Sequence, residues 1–364
     1  MPMTAIELSR RQVLAGALTA IALGAAGTVW SGAGRRIYSA ASDQANRHFL
    51  CCWAEGHLQF KVPSPGRGHD VLLNPLTRSA LYFARRPGNW LTVLDADTGA
   101  LQARIASPAG RHFYGHGTLV NNNSLLLTSE NDYARGGEGL IGIYDCRDGY
   151  RRVGEFASGG IGPHQLATLP DDKTVVVANG GILTLPGSNR DKLNLETMQP
   201  NLSYIDSRDG SLLGQWQPPH HQLSLRHLDV SSDGEVVVGA QFEGDPTLAL
   251  PLLFRHRGED RLQALTATDP VWRQHHNYIA SVACAGDAVI ATSPRGGCIS
   301  LWRNGEFQTL QALNDVAGAA FDSKTGTFLT SNGRGQLVQL DQQGLSLTGR
   351  VAELRWDNHM EVSS

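Results

Sequence analysis

A histidine recurs five times in this chain, each time just before a short apolar run that reads as a β-strand. The five residues are His69, His116, His164, His227 and His359. Two further units fit the same register, with Ser281 and Gly318 in the place of the histidine, and successive units lie 37 to 63 residues apart. These intervals are close to the length of one four-stranded propeller blade, about 40–45 residues. Because the blades of a propeller form a ring, equivalent residues of successive units should face one another.

The repeat predicts an all-β chain that folds as a seven-bladed β-propeller of the WD40/YVTN type. A high glycine count of 41 and a low charged fraction of 18% agree with many short strands joined by tight turns. Six units run from residue 69 to about residue 354. The seventh blade is shared by the two termini, with an inner strand from residues 359–364 and outer strands from residues 49–53 and 58–62. This blade closes the ring and removes exposed sheet edges, with three or four strands.

Residues 1–40 resemble a bacterial export signal. Ser9, Arg10 and Arg11 precede an apolar stretch at residues 13–30, which is typical of the twin-arginine pathway. A retained membrane anchor is the alternative, but the stretch is short and only weakly apolar. We therefore expect a single propeller domain at residues 41–364, located in the periplasm, with no stable membrane anchor after cleavage.

Charge and cysteine content exclude several other functions. The formal net charge is −3 and no basic run occurs, so a nucleic acid partner is not expected. The five cysteines are odd in number and scattered, and they match no zinc or haem motif.

Polar residues cluster in the sequence at positions that should share one face of the propeller. In an antiparallel hairpin, the start of the first strand and the end of the second lie at the same edge of the sheet. Imidazole and carboxylate groups at this edge could bind iron, zinc or copper. The predicted metal ligands are His116, His164, His227 and Glu130. The other predicted ligand-binding residues of this face are Arg67, His69, Arg85, His112, Asn179, Arg226, Glu243, Arg295 and His359.

Three other roles remain open for these residues. In WD-type propellers, a Gly-His pair before the inner strand bonds to an aspartate in a turn, and Gly68-His69 fits that structural role. The arginines suit a small anionic or chelated ligand. A histidine with Glu130 or Asp132 could provide the acid and base of a hydrolase, but no catalytic residue is assigned. The long connection at residues 180–200 is predicted to act as a lid.

Several motifs resemble a bacterial family that is exported by the twin-arginine pathway and is known only as a domain of unknown function. They include Arg67-Gly68-His69-Asp70, Gly115-His116-Gly117, Gly162-Pro163-His164 and Arg355-Trp356-Asp357-Asn358-His359. The resemblance implies a propeller fold, a periplasmic setting and an association with imelysin-like iron-uptake proteins. It implies no established activity.

Together these observations predict a periplasmic binding or accessory protein, with iron or other metal handling as the hypothesis. The histidine-bearing face is its predicted working surface. A hydrolase, a lactonase-like enzyme or a metal-dependent oxidoreductase on the same face is one alternative. A protein-interaction scaffold with structural histidines is the other.

Overall fold

Six four-stranded antiparallel sheets and one five-stranded sheet form a ring in the computed structural model, which describes residues 34–188, 191–341 and 343–363. The N-terminal strands are β1 (Arg36–Asp43), β2 (His48–Ala54) and β3 (His57–Pro63). Blade 1 contains β4 (Gly68–Asn74), β5 (Ser79–Ala84), β6 (Trp90–Asp95) and β7 (Leu101–Ala106). Blade 2 contains β8 (Arg111–Val120), β9 (Leu125–Asp132), β10 (Glu138–Asp145) and β11 (Arg151–Ile161). Blade 3 contains β12 (Pro163–Thr168), β13 (Thr174–Asn179), β14 (Asn201–Asp206) and β15 (Leu212–Trp216).

The second half of the ring repeats this pattern. Blade 4 contains β16 (Leu223–Val230), β17 (Val236–Phe242), β18 (Leu253–His256) and β19 (Gln263–Ala264). Blade 5 contains β20 (Ser281–Ala285), β21 (Ala288–Ser293), β22 (Cys298–Arg303) and β23 (Glu306–Ala312). Blade 6 contains β24 (Val316–Asp322), β25 (Thr327–Asn332), β26 (Gln336–Asp341) and β27 (Gly344–Arg350). The C-terminal strands are β28 (Leu354–Trp356) and β29 (Glu361–Ser363).

Helical structure is sparse among the described residues. One short helix, α1 (Asp269–Gln274), lies between blades 4 and 5, and two 3₁₀ turns occur at Tyr133–Arg135 and Pro186–Ser188. Within the described part of the chain, no helix has the length and apolar character needed to cross a bilayer. The prediction of a seven-bladed β-propeller is confirmed.

The closing blade joins the two ends of the chain, as predicted, but its strands differ from the prediction. Strand β1 pairs with β2 on one side and with both β28 and β29 on the other. The blade is therefore four strands deep, and its innermost position is divided between β28 and β29. His359 lies in the connection between these two short strands instead of opening a continuous inner strand.

Residues 36–40, which the sequence analysis assigned to the leader, form the first part of β1. Ile37, Tyr38 and Ala40 are fully buried there, so the propeller begins before the expected boundary at residue 41. The small residues Ala40 and Ala41, which on their own suit a signal-peptide cleavage site, are buried in this sheet. The predicted export motif and the apolar stretch at residues 13–30 lie outside the described residues, so export stays a prediction.

Apolar side chains pack between neighbouring blades and form the core of the ring. Each strand alternates its side chains between the two faces of its sheet, and both faces are covered by the adjacent blades. For example, Leu127 and Ile141 of blade 2 pack against Val175 and Val177 of blade 3. Because both faces are occupied, the central strands are almost continuously buried. Side chains reach the central axis from the inner strands and from the connection between β28 and β29.

Candidate metal centre

The inner strands are irregular at the positions of the histidines. In blade 1, His69 and Asp70 together oppose a single residue of β5, which is a β-bulge. The same irregularity includes His164 in β12, and in β8 it includes His116 with two extra residues. In β16 the shift falls directly before His227. A bulge changes the direction of a side chain relative to a regular strand. Here it accompanies imidazoles that lie at the axis instead of packing between two blades.

The five recurring histidines meet at the axis as one cluster, here called the axial cluster. Their ring centroids lie 4.6–6.4 Å apart for nine of the ten pairs. Each residue is at most 8% exposed. The members are His69, His116, His164, His227 and His359. The structure thus brings together side chains from five blades that are separated by up to 290 positions in the sequence.

The ring nitrogens form two overlapping groups of three that could hold a metal ion. One group contains His69, His116 and His359, and the other contains His116, His164 and His227. Within each group, the candidate ligand atoms lie within 4.8 Å of one another. The two Nε2 atoms of His69 and His116 are 3.1 Å apart. Because His116 belongs to both groups, the arrangement suits one ion rather than two independent ions.

The residue after an axial histidine contacts the histidine of the next blade. Asp70 Oδ2 lies 2.8 Å from His116 Nδ1, and Gln165 Oε1 lies 3.3 Å from His227 Nδ1. The residue after His116 is Gly117, which has no side chain to offer. Accordingly, His164 Nδ1 is buried and has no hydrogen-bond partner among the described residues.

Gly115 provides the space that His69 needs. Its φ of +104° is in the region that favours glycine, and a Cβ atom there would lie 2.6 Å from Cδ2 of His69. The backbone of blade 2 therefore shapes the position of an imidazole of blade 1. This dependence is not evident from the Gly-His motif alone.

Burial keeps four of the axial histidines neutral. It lowers the pKa of His69, His164 and His227 well below 6.5, and the positive charge of neighbouring histidines lowers these pKa values further. The pKa of His359 falls to about 4, through burial and then through His116. At neutral pH these imidazoles therefore retain the lone pair that a metal ion requires.

The geometry differs from the structural role known in WD-type propellers. Among the described residues, the carboxylate that bonds to an axial histidine is that of Asp70, which is itself in the inner strand of blade 1 and not in a turn. The bonds from Asp70 and Gln165 join inner strands of adjacent blades. They stabilise the ring at its axis and also orient the imidazoles.

Glu130 is a correction to the predicted ligand set. Its Oε1 atom accepts hydrogen bonds from Tyr144 at 2.9 Å and from Arg152 at 2.6 Å, and Oε2 lies 3.8 Å from Arg111. It lies in the second strand of blade 2, where side chains alternate between the two blade faces and do not point to the axis. The sequence correctly placed this residue near one edge of the sheet, but it could not give the direction of the side chain.

Three other predicted ligand-binding residues are committed to contacts within the protein. The buried ring of His112 lies between the backbone oxygen of Phe113 and the amide of Asn131. Asn179 donates to Ser158 and Asn201 in the interior of the blade. Glu243 forms an ion pair with Lys192 of the long connection.

The remaining arginines lie around the mouth of the axis. Arg67 binds Asp357 through two hydrogen bonds of 2.5 and 3.3 Å, and Asp357 lies 4.0 Å from His69 Nδ1. Arg295 lies over the ring of Tyr278, with its guanidinium carbon 4.3 Å from the ring centroid. Arg226 is 5% exposed, and its Nε atom has no partner among the described residues.

The connection at residues 180–200 lies over blades 1 and 2. Arg86 and Asn131 both donate hydrogen bonds to Thr184, at 3.1 Å each. Residues 180–182 are buried, so this part of the predicted lid is packed in place. All five cysteines are free and buried, and none contributes to the two histidine groups.

Blades 5 and 6 lack an axial histidine, and Ser281 and Gly318 occupy the equivalent positions of their inner strands. A cavity of about 370 Å³ is lined by residues of these two blades, of blade 1 and of the closing blade. The lining residues include Arg67 and Arg85, which the sequence analysis placed on this face, and also His48 and Arg355, which it did not assign to the site. Arg355 was quoted in the family motif, so a signal for it was present.

The fold and this arrangement define a seven-bladed β-propeller with a histidine-lined axis. The chain belongs to the family described as protein of unknown function (DUF1513), whose model matches residues 62–363. Among solved structures, the hydrazine synthase of Kuenenia stuttgartiensis is similar, with a TM-score of 0.57 and 12% sequence identity over 84% of this chain and 90% of that chain. At this identity the similarity is one of fold alone. No curated protein gives a significant match.

Proposed function

We propose that this protein binds one divalent first-row transition metal ion at the axial cluster and acts as a binding or accessory protein in metal handling. The observation that carries the proposal is the convergence of five buried imidazoles. His359 Nε2 and His164 Nδ1 have no hydrogen-bond partner among the described residues. A buried polar group without a partner costs free energy, and a metal ion would offset that cost.

The donor set limits the choice of metal. Imidazole nitrogen suits zinc, copper, nickel and ferrous iron, whereas magnesium and calcium prefer oxygen ligands. In a tetrahedral zinc site with Zn–N bonds of about 2.0–2.1 Å, the ligand nitrogens are about 3.3 Å apart. The 3.1 Å separation of His69 Nε2 and His116 Nε2 is already close to this value. The other rings need only small rotations or shifts, because each group of nitrogens lies within 4.8 Å.

Asp70 strengthens the proposal because metal-bound histidines commonly bond to a carboxylate through their other nitrogen. Such a bond fixes the tautomer and makes the ring a better ligand. Asp70 is positioned to do this for His116, with its Oδ2 2.8 Å from Nδ1. His116 would then present Nε2 to the ion, and it is the histidine shared by both groups of three.

The cellular setting is also part of the proposal. The twin-arginine motif favours export to the periplasm, and the family resemblance favours iron and an imelysin-like uptake protein as partner. These points rest on the sequence. Imidazole donors suit a ferrous ion, although such sites generally bind copper more tightly.

Metal analysis of the protein purified from the periplasm tests the proposal directly. We expect about one equivalent of metal per chain. Calorimetric titration of the chelator-treated protein with Fe(II), Zn(II) or Cu(II) should show that one equivalent binds again. The His116→Ala variant should lose most of this binding, because His116 is the histidine that both groups of three share. His57→Ala removes an exposed histidine of the closing blade and is the matched control.

Two outcomes would count against metal binding. One is purified protein without metal whose melting temperature is unchanged by all three ions. The other is equal binding by His116→Ala and His57→Ala, which would assign the metal to histidines outside the axial cluster. Either result would favour the scaffold role, in which the axial histidines only join the blades.

A further inference from the structure

The cavity is lined by the closing blade, blade 1 and the two blades that lack an axial histidine, blades 5 and 6. Five blades place an imidazole at the axis, whereas the inner strands of blades 5 and 6 carry Ser281, Ala317 and Gly318 at this level. Ala317 lines the cavity. The cavity volume of about 370 Å³ is at the lower end of the range for small-molecule sites, so the space suits a metabolite and not a folded partner.

The walls of the cavity carry an excess of positive charge. Three arginines line it, opposed by two aspartates, Asp315 and Asp357. Arg355 is the most informative of the three. It donates to the backbone oxygen of Asp43 at 2.7 Å and to the amide oxygen of Asn46 at 2.6 Å, and both acceptors are neutral. Its buried Nε atom has no hydrogen-bond partner among the described residues.

The cavity adjoins the axial cluster. Asn358 lines the cavity, and the next residue is His359 of the cluster. Asp357 also lines it and lies 4.0 Å from His69 Nδ1 while binding Arg67. A ligand held by the arginines would therefore lie next to His69 and His359, which form one of the two metal-binding groups with His116.

We propose that this cavity binds a small polycarboxylate anion through Arg85 and Arg355, beside the ion pair of Arg67 with Asp357. Guanidinium groups bind carboxylates through paired, charge-assisted hydrogen bonds, and two of them around one small space match a ligand with more than one carboxylate. Polycarboxylates are also chelators of transition metals. As an extension that rests on the proposed function, the anion brings the metal to the axial cluster, where imidazoles replace its carboxylate oxygens without a change of oxidation state.

Titration of the metal-free protein with citrate tests the anion site independently of metal binding. We expect saturable binding of one citrate per chain that weakens as the salt concentration rises. Arg355→Gln should weaken citrate binding by about tenfold or more, the effect of one lost charge-assisted bond. Arg208→Gln makes the same charge change in an exposed ion pair with Asp206, at the opposite end of the blades, and should bind citrate normally.

A second variant tests the cavity without changing Arg355, which also forms structural hydrogen bonds with Asp43 and Asn46. Ala317→Leu keeps every charge and fills part of the cavity, so it should also weaken citrate binding by about tenfold. Malate and inorganic phosphate serve as smaller anions, and both should bind more weakly than citrate. Thermal melting of each variant, with circular dichroism, confirms that it is folded.

The anion proposal is overturned if the wild type binds no citrate at millimolar concentrations, or if Arg355→Gln and Arg208→Gln bind it equally. It is also overturned if folded Ala317→Leu binds like the wild type. Binding of Zn(II) or Cu(II) is measured separately in the same samples. Metal binding with no citrate binding refutes only the proposed anion site in the cavity. Citrate binding with no metal binding refutes only the proposed metal site at the axial cluster.

Discussion

The axial cluster and the carboxylate network around Glu130 are two groups of buried ionisable side chains that differ in their partners. Glu130 is fully buried and is held by Tyr144 and Arg152, with Arg111 nearby. The axial histidines contact mainly one another, and three of their nitrogens have no hydrogen-bond partner among the described residues. The Glu130 carboxylate is thus paired with two arginines, although its Oε2 atom also makes no hydrogen bond among the described residues. A buried polar residue is a better candidate for a binding site when its neighbours leave it incomplete.

Removal of Glu130 should have the largest effect on stability and no effect on metal binding. Glu130→Ala leaves Arg152 and Tyr144 without their shared acceptor, and we expect a loss of about 4 kcal/mol in the free energy of unfolding. Urea denaturation measures this loss, and calorimetry on the folded variant should show unchanged metal affinity. A loss of metal binding in folded Glu130→Ala would show that Glu130 is a metal ligand. It would contradict the distinction between the axial cluster and the carboxylate network.

The pH dependence of stability should separate the two regions. The pKa of His359 is lowered to about 4 in the folded protein, so its contribution is present above the ordinary pKa of 6.5 and is lost as the pH falls from 6.5 to 4. Over this range the metal-free wild type should lose about 3 kcal/mol more stability than His359→Ala. Parallel stability curves for the two proteins would show that His359 is not kept neutral by the fold.

Glu155 provides the contrasting case in the network. Hydrogen bonds from Arg111 and Arg152 lower its pKa to about 2, so its contribution is present above 4.5 and is lost as the pH falls from 4.5 to 2. Glu155→Gln should therefore change the stability curve only below about pH 4.5. The effect should be small, because the side chain is partly exposed to solvent.

The smallest effect should come from a change that moves an imidazole without removing it. A methyl group in Gly115→Ala would contact His69, and we expect about tenfold weaker metal binding, similar to the loss of an orienting contact. Gly99→Ala is the matched control. It has a positive φ of +73° and a similar clash with Phe60, but it lies in a hairpin away from the axis. Equal metal affinities in the two variants would show that Gly115 does not position His69 for binding.

Much of the fold could be predicted because the repeat is a local pattern. Apolar runs, turn residues and the recurring histidine gave the number of blades and the edge at which each strand begins. The closing blade was harder. Strand β1 pairs with β28 and β29, more than 300 residues away, and its small residues Ala40 and Ala41 resemble a cleavage site when the partner strands are not considered.

The candidate site was predicted in part, for a similar reason. The recurrence placed His69, His116 and His164 at equivalent positions, and the ring then required them to meet. The same argument placed Glu130 with them, because sequence spacing gives the edge of a sheet but not which way a side chain leaves it. Asp70 and Arg355 were not assigned roles, since their importance depends on residues in neighbouring blades.

The sequence alone determined the periodicity, and with it a ring in which histidines of five units share one level. Only the tertiary structure decided which nitrogens lack partners, where the bulges turn the imidazoles and that blades 5 and 6 leave a positively lined cavity beside them. The physical reason is the range of the interactions. Strand formation and turns depend on neighbouring residues, whereas the direction, burial and pairing of a side chain depend on groups brought close by the closed ring.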